Sequence, residues 1–382
     1  MAKAAVHAAV LILYLAGARA SFRIVDDEFE GASSKPVLLK VLENTDTGES
    51  ASVIYSHGGR VEQVSLVPRG ARASAGADPV ALLQDFGRNA TAVDLNEHWQ
   101  GAMLAPFANR VANGTYDFDG ATHYLDRNEC DDPSARCGAL HGMLWRYALE
   151  LRGATATNAS AALVLGHEFD GADAGYPWTV DVELTYELFA DGRFDVTVRA
   201  ANVDRAATRR PAPWSFGWHP YFLVSDVAAA AVRFDACAAP WLHVDMTAGA
   251  PRAGDLVPTG AVSAFDASSL DPIGAAQSGS AALPNYYDDE WKAGSSGCDD
   301  ARGVATRVAT ATHTAVLWQD GHFRFTQLFT GAYEGWNSSS VAFEPMSGMA
   351  DAYNNGDGLV ILSAGESWTA TFGVRAELNG AA

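Results

Sequence analysis

Two alternating runs joined by an Asp-Gly pair constrain the fold of this chain more than any other sequence feature. Residues 180–188 alternate apolar and polar side chains, and residues 194–198 do the same. A period of two indicates strands with one buried face. Asp191-Gly192 between the runs predicts a tight hairpin in which both turn residues adopt positive φ. Antiparallel sheet is therefore expected here.

The same pattern recurs along most of the chain. Asp119-Gly120 separates the runs 115–118 and 122–125, which predicts a second hairpin. Long capped helical patterns and repeats of fixed period are absent from the sequence, which argues against a propeller or solenoid. We expect an all-β fold, a single large antiparallel β-sandwich. Further β-like runs are 37–42, 51–55, 61–67, 161–165, 315–318, 323–329, 360–362 and 369–374, and loops are predicted at 69–80 and 266–280.

Residues 1–20 have the composition of a secretory signal peptide. Lys3 gives a positive start, residues 4–16 are apolar apart from His7, and Ala18-Arg19-Ala20 is an A-x-A cleavage site. The apolar run is short for a membrane span. The sequence therefore predicts a secreted protein whose sandwich domain covers residues 21–382.

Two residue types agree with export. N-x-[ST] glycosylation acceptors, which predict a glycoprotein, occur at Asn89, Asn113, Asn158 and Asn337. The four cysteines are Cys130, Cys137, Cys237 and Cys298, and four cysteines allow three pairings. A short bridge between Cys130 and Cys137 with a long one between Cys237 and Cys298 is one of these. No C-x-x-C motif occurs, so a cysteine-rich zinc site is not expected.

The charge balance restricts the partners of the chain. With 46 acidic and 26 basic residues, the net charge is −20. Such a protein repels nucleic acid and anionic membrane surfaces. We therefore expect no nucleic-acid partner and no membrane once the signal is removed; the charge says little about a neutral small-molecule substrate, and the oligomeric state stays open.

Two polar segments in the first half of the chain are candidates for a site. Asn109-Arg110 lies near the start of a predicted hairpin, where the planar guanidinium could hold two adjacent hydroxyls or a carboxylate bidentately. A surface salt bridge is the alternative for Arg110. His141 precedes Gly142, beside which other backbone can approach closely. A core histidine bonded to a carbonyl is the alternative for His141.

Two further segments place an ionisable group among apolar residues. His219 lies among five aromatic residues in 214–222, as expected for a wall that holds a sugar ring. Such a wall disfavours imidazolium, which would poise His219 as a near-neutral acid. Glu344 lies in an apolar run before Pro345, where a carboxylate is either paired or catalytic. The alternatives are a hydrogen-bonded core histidine and a glutamate at a strand end.

Taken in order, these segments resemble the aldose 1-epimerase (galactose mutarotase-like) family. No zinc-protease, phosphate-loop, dinucleotide or serine-hydrolase motif competes with this interpretation. The resemblance implies a β-supersandwich that interconverts the α and β anomers of a free sugar and needs neither a metal nor an organic cofactor. It extends from about residue 53 to residue 374, and the matching stretches are 58–61, 108–114, 116–125 with Asn128, 140–142, 217–222, 343–349, 359–362 and 364–366.

The resemblance also implies roles for single residues. Glu344 corresponds to the general base at the C1 hydroxyl, and His219 to the acid that protonates the ring oxygen. Arg110, His141 and Asn109 correspond to groups that bind the substrate. The family also has an aspartate on an earlier strand. Asp288 is the better match for it, with Asp289 as its rival.

Departures from the galactose-specific pattern leave the sugar open. Met143 follows His141-Gly142 where a second glycine is common, and His219 lies in Gly-Trp-His-Pro-Tyr-Phe. Two other functions compete with a secreted mutarotase. One is a hexose-phosphate epimerase, for which Arg209-Arg210 is the compact basic candidate. The other is a non-catalytic carbohydrate-binding protein of the same fold.

Overall fold

The computed structural model describes most of residues 21–379. The description leaves out 31–35, 71–76, 130–137, 205–209, 226, 228–229, 235–237, 245–257, 264–270, 273–287, 294–301 and 331–338. For residues 97 and 234 and for the strands between 238 and 293, only the backbone is described. The signal sequence, all four cysteines and Asn337 lie outside the described residues.

The first half of the described chain is almost entirely strand. Its strands are β1 (Phe22–Phe29), β2 (Val37–Asn44), β3 (Ser50–Ile54), β4 (Arg60–Leu66), β5 (Val80–Ala81), β6 (Met103–Leu104), β7 (Arg110–Val111), β8 (Thr115–Phe118), β9 (Ala121–Tyr124), β10 (Ala139–Leu140), β11 (Glu150–Ala156), β12 (Ser160–Asp170), β13 (Thr179–Phe189) and β14 (Arg193–Asn202).

The second half continues the pattern. Its strands are β15 (Ala212–Trp214), β16 (Gly217–Trp218), β17 (Tyr221–Leu223), β18 (Ala231–Phe234), β19 (Ala238–Val244), β20 (Pro258–Ser263), β21 (Asp271–Pro272), β22 (Asp288–Ala293), β23 (Val304–Ala309), β24 (His313–Gln319), β25 (Phe325–Phe329), β26 (Ser340–Met346), β27 (Val360–Leu362) and β28 (Ser367–Leu378). Helical turns are short: α1 (Ala90–Leu95), α2 (Ala352–Asn355) and 3₁₀ turns at Glu97–Trp99, Ala112–Gly114 and Leu144–Arg146.

Three antiparallel sheets contain most of these strands. Within the described residues, the first sheet has the order β1-β2-β3-β4-β5 and the second the order β11-β12-β13-β14-β28-β24-β23-β18-β21. The third has the order β20-β19-β22-β25-β26-β16-β6, with β17 also paired to β26. This is the predicted all-β, galactose mutarotase-like sandwich, and the β-like runs read from the sequence fall on its strands.

The two predicted hairpins differ in their turns. Asp119 and Gly120 both have positive φ, at 50° and 78°, as predicted. At the other hairpin β13 ends at Phe189 and β14 begins at Arg193, so the loop has three residues. There only Gly192 is left-handed, with φ 75°, so the prediction of two positive φ values was wrong at Asp191. A three-residue loop places its left-handed residue last, where glycine costs least.

The core forms where the inward faces of the sheets meet. Alternate residues of β13, from Val180 to Leu188, are at most 1% exposed. Strand β26 is buried on both faces: Val341 and Phe343 belong to the largest apolar cluster, whereas Met346 belongs to a smaller one. Glu344 shares the face of Met346 because side chains alternate along a strand. None of the helices described is long and apolar enough to cross a membrane.

Candidate active site

The turn before β7 and the end of β10 bring two predicted residues together. Arg110 pairs with Leu140 across the two strands, so Asn109 and His141 are neighbours. The backbone amide of His141 donates to the backbone carbonyl of Asn109 at 2.9 Å, and the backbone amide of Asn109 donates to His141 Nδ1 at 3.2 Å. Both residues are buried and left-handed, with φ of 54° and 61°. Such backbone is uncommon outside glycine and is concentrated at functional sites.

Glycine at position 142 permits this arrangement. Gly142 has φ 64°, and a Cβ atom there would lie 2.2 Å from the carbonyl oxygen of Ala105. The expectation of close backbone approach beside His141 is therefore confirmed. Asn128, which belongs to the family pattern, fixes the strand before His141: its side chain accepts from the Leu140 amide at 2.7 Å and donates to the Leu140 carbonyl at 3.0 Å.

His219 and Glu344 form a buried pair in the third sheet. His219 follows β16, and Glu344 lies within β26, so the sheet itself sets their separation. His219 Nε2 lies 3.3 Å from Glu344 Oε1, and the two side chains are 5% and 2% exposed. The His219 ring stacks on Tyr221 at 4.9 Å and meets His141 edge-on at 5.2 Å between ring centroids. One buried cluster thus contains three of the predicted residues.

Burial controls the protonation of the two imidazoles. It lowers the pKa of His219 to about 3, and the nearby His98 and Arg110 act in the same direction. Burial, with His219 and Arg110, also holds the pKa of His141 well below the usual value. The sequence predicted that the apolar wall would disfavour imidazolium and make His219 a near-neutral acid. The wall does disfavour imidazolium, but the pKa of His219 falls well below neutrality. Both rings are neutral at neutral pH.

One edge of the Arg110 guanidinium binds the carboxylate of Glu129. Its Nε donates to Glu129 Oε2 at 2.9 Å and its Nη2 to Glu129 Oε1 at 2.8 Å. The fork was expected to hold two adjacent hydroxyls or a carboxylate, and within the protein the Glu129 carboxylate occupies its Nε–Nη2 edge. Arg110 still lies close enough to both imidazoles to lower their pKa values. Its backbone is fixed as well, since the Asp351 amide donates to the Arg110 carbonyl at 2.7 Å.

The predicted aspartate lies on β22, which is separated from β26 by β25 in the third sheet. Asp288 begins β22 and pairs with Phe329, whereas Asp289 pairs with Leu328, a residue of the main core. Because Phe329 pairs with Ala342, Asp288 occupies a register position on the sheet face that carries Glu344. The register therefore favours Asp288 over Asp289. The side chain of Asp288 lies outside what the structure describes.

Sequence reasoning missed two residues that support the site. Glu129 lies just before a Cys-rich loop and carries no motif that ties it to Arg110. Tyr221 is visible in the aromatic segment, but the sequence does not specify that its ring stacks on His219 and that its hydroxyl donates to the His98 carbonyl at 3.0 Å. Both depend on contacts between distant parts of the chain.

The grouping of His141, His219 and Glu344 has the composition of a metal site, and their ligand atoms lie within 4.8 Å of one another. The hydrogen bond at His141 argues against that use. Nδ1 accepts an amide N–H, so its lone pair is occupied and the proton of the neutral ring lies on Nε2. A histidine that binds metal through Nε2 instead donates its Nδ1–H to an acceptor. This tautomer makes His141 a hydrogen-bond donor rather than a ligand.

The basic candidate for phosphate recognition is engaged elsewhere. Arg210 Nη2 donates to the Pro177 carbonyl at 2.6 Å, and its Nε lies 3.7 Å from Asp204. Arg209 lies outside the described residues. The described contacts therefore do not support a hexose-phosphate epimerase.

A buried imidazole–carboxylate pair inside a large antiparallel sandwich defines a galactose mutarotase-like protein. Residues 45–375 match the aldose 1-epimerase family, and the chain belongs to that family.

Relatives of this chain include a maltose epimerase and an aldose 1-epimerase. A maltose epimerase from Levilactobacillus brevis is 32% identical over 133 residues, 35% of this chain and 36% of that protein. An aldose 1-epimerase from Escherichia coli is 32% identical over 123 residues, 32% of each protein. The chain thus matches about a third of the length of these curated relatives.

Solved structures match over much more of the chain. A galactose 1-epimerase from Lactobacillus acidophilus has a TM-score of 0.69 at 18% identity, over 94% of this chain and 99% of that one. The likeness at this identity establishes the fold.

Proposed function

We propose that this protein is an aldose 1-epimerase that interconverts the α and β anomers of a free aldohexose. The observation that carries the proposal is the buried pair of His219 and Glu344, with 3.3 Å between Nε2 and Oε1. Mutarotation opens a cyclic hemiacetal, so one proton must leave O1 while another reaches the ring oxygen O5. A carboxylate and an imidazole side by side supply both functions.

Glu344 takes the proton from O1, and His219, in its protonated form, delivers one to O5. The His219 ring is mostly neutral at neutral pH, so it acts from a minor imidazolium form that burial makes strongly acidic, with the adjacent Glu344 carboxylate as its countercharge. The open-chain aldehyde turns about C1–C2 and closes on its other face with the two roles reversed. Positioned general acid and base groups typically contribute about 10²–10⁴-fold each.

The other predicted residues hold the sugar. His141, with its proton on Nε2, is a donor for an acceptor oxygen of the sugar, and Asn109 fixes that tautomer through its amide. Arg110 and Asp288 complete the binding set, with Arg110 oriented by Glu129. Similarity to a maltose epimerase and to an aldose 1-epimerase supports an aldose as the substrate.

The test uses polarimetry to monitor the equilibration of freshly dissolved α-anomers, with D-glucose, D-galactose and maltose as separate substrates. We expect acceleration above the buffer rate for at least one hexose. Binding of sugars without any acceleration would instead identify a carbohydrate-binding protein of the same fold.

We also propose that the protein is exported and carries N-linked glycans. The composition of residues 1–20 supports export, and the acceptors Asn89, Asn113 and Asn158 are exposed on the folded chain. Expression in secreting eukaryotic cells tests this. The medium should contain a product that begins near residue 21 and loses mass on treatment with a glycan-removing amidase. Retention of the intact chain inside the cells would contradict export.

A further inference from the structure

A strained turn next to the catalytic pair has no role in the mechanism above. His98 and Trp99 have φ of 53° and 52°. A bulky residue in this region is a genuine outlier, and such strain persists only where surrounding structure enforces it.

Hydrogen bonds with His219 and with its neighbour Tyr221 hold this turn in place. The Gly101 amide donates to the His219 carbonyl at 2.8 Å, and the His219 amide donates to the Ala102 carbonyl at 3.0 Å. Tyr221, which stacks on His219, donates its hydroxyl to the His98 carbonyl at 3.0 Å. The backbone that follows Trp99 is therefore tied directly to His219.

The strain places an indole against the sugar-binding imidazole. The Trp99 ring meets His141 at 5.2 Å between centroids and at 60° between planes. Its Nε1–H is buried and has no hydrogen-bond partner among the described residues. A buried indole N–H usually has a partner. The ring that carries this N–H is in contact with His141, the imidazole that the proposed function assigns to sugar binding.

Three other indoles also have an unpartnered N–H, so that feature alone does not single out Trp99. Trp178, Trp214 and Trp218 are at most 1% exposed and lie in the main apolar core. Trp99 differs in being partly exposed, in its left-handed backbone and in its contact with His141. Trp178 therefore serves as a matched control.

We propose that Trp99 is a substrate-contact residue that donates its indole N–H to one hydroxyl of the bound sugar and so helps to determine which sugars the site accepts. The inference rests on the proposed mutarotase function, since it names a contact within the same site. It adds a recognition contact to the positioning groups and leaves the acid and base unchanged.

The test measures sugar binding and turnover separately. Ligand-detected NMR gives dissociation constants for the hexose that the wild-type protein binds most tightly and for its four monodeoxy analogues. Trp99→Phe keeps a ring and removes the N–H. We expect it to bind the parent sugar about 3- to 10-fold more weakly, the range for loss of one neutral hydrogen bond.

The deoxy sugars identify the hydroxyl. With the wild-type protein, one analogue should bind more weakly than the parent sugar by the same factor. With Trp99→Phe, that analogue should bind as tightly as the parent sugar, because the deoxy change and the substitution remove the same contact. Trp178→Phe should bind the whole panel as the wild-type protein does. Trp99→His, which retains an N–H and tolerates left-handed φ, should regain discrimination against that analogue.

Several results would overturn the inference. One is that Trp99→Phe binds every sugar within 2-fold of the wild-type protein; another is that it loses the same factor for every sugar, as expected of a packing role. Thermal melting of each variant identifies loss of fold; if Trp99→Phe does not fold, Trp99→His decides the question. Wild-type kcat/KM in Trp99→Phe together with unchanged binding refutes this inference alone, whereas the predicted binding pattern without turnover refutes the mutarotase alone.

Discussion

Acidification should destabilise this protein, and His219 should account for a measurable part of the loss. Burial lowers the pKa of His219 from 6.5 to about 3. Below pH 6.5 the unfolded chain therefore binds a proton at this residue that the folded protein does not bind. Stability rises with pH wherever the unfolded state binds more protons. The contribution of neutral, buried His219 to the free energy of unfolding is therefore present in full above pH 6.5 and is lost as pH falls towards 3.

The magnitude follows from the two pKa values. Between pH 6 and pH 5, protonation of His219 in the unfolded chain lowers the free energy of unfolding by about 1 kcal/mol, while the folded protein binds almost no proton there. His219→Asn removes that contribution. The variant should lose about 1 kcal/mol less than the wild-type protein over the same interval, whatever its stability at pH 7.

Urea unfolding followed by tryptophan fluorescence at half-unit intervals from pH 5 to pH 7 measures the two slopes. His322→Asn, at a side chain that is 60% exposed, is the control for loss of a histidine at the surface. Equal slopes for His219→Asn and the wild-type protein would refute the reasoning, because they would mean that folded His219 takes up the proton as readily as the unfolded chain.

Two further substitutions test how the site is held. Glu129→Gln should raise KM about 3- to 10-fold and leave kcat within about 2-fold, because Arg110 loses its charged partner; Glu43→Gln, at an exposed pair with Arg23, should change neither in the polarimetric assay. Gly142→Ala should lower the free energy of unfolding by more than about 2 kcal/mol, because its Cβ would lie 2.2 Å from the Ala105 carbonyl oxygen. Gly120→Ala has a similar φ of 78° with open space around it and should cost only about 1 kcal/mol in the same urea titrations; equal costs would contradict the steric argument.

Local pattern was sufficient to predict most of the fold. Alternation in Val180–Leu188 depends only on which face is buried, and the buried set in β13 matches it residue by residue. The turn at Asp191 was mispredicted because Asp-Gly is compatible with both two- and three-residue loops, and the strand register decides between them.

The candidate site was predictable as a set of residues but not as a geometry. His219 and Glu344 were visible because ionisable groups in apolar runs are rare. The bond from Glu129 to Arg110 joins residues 19 positions apart across an intervening loop, and no residue pattern encodes it. The turn that contains Trp99 is likewise held by hydrogen bonds between Gly101 and His219 and between Tyr221 and His98, which only the folded chain provides.

Replacement of Glu344 by glutamine tests the central claim most directly. Glu344→Gln keeps the size of the buried side chain and removes the proton acceptor, whereas Glu62→Gln changes a buried carboxyl on β4 of the first sheet. In polarimetry of fresh α-D-glucose and α-D-galactose, we expect Glu344→Gln to equilibrate the anomers at the buffer rate while retaining the wild-type fold, and Glu62→Gln to retain the acceleration. Acceleration by Glu344→Gln at the wild-type rate would contradict the assignment of Glu344 as the base.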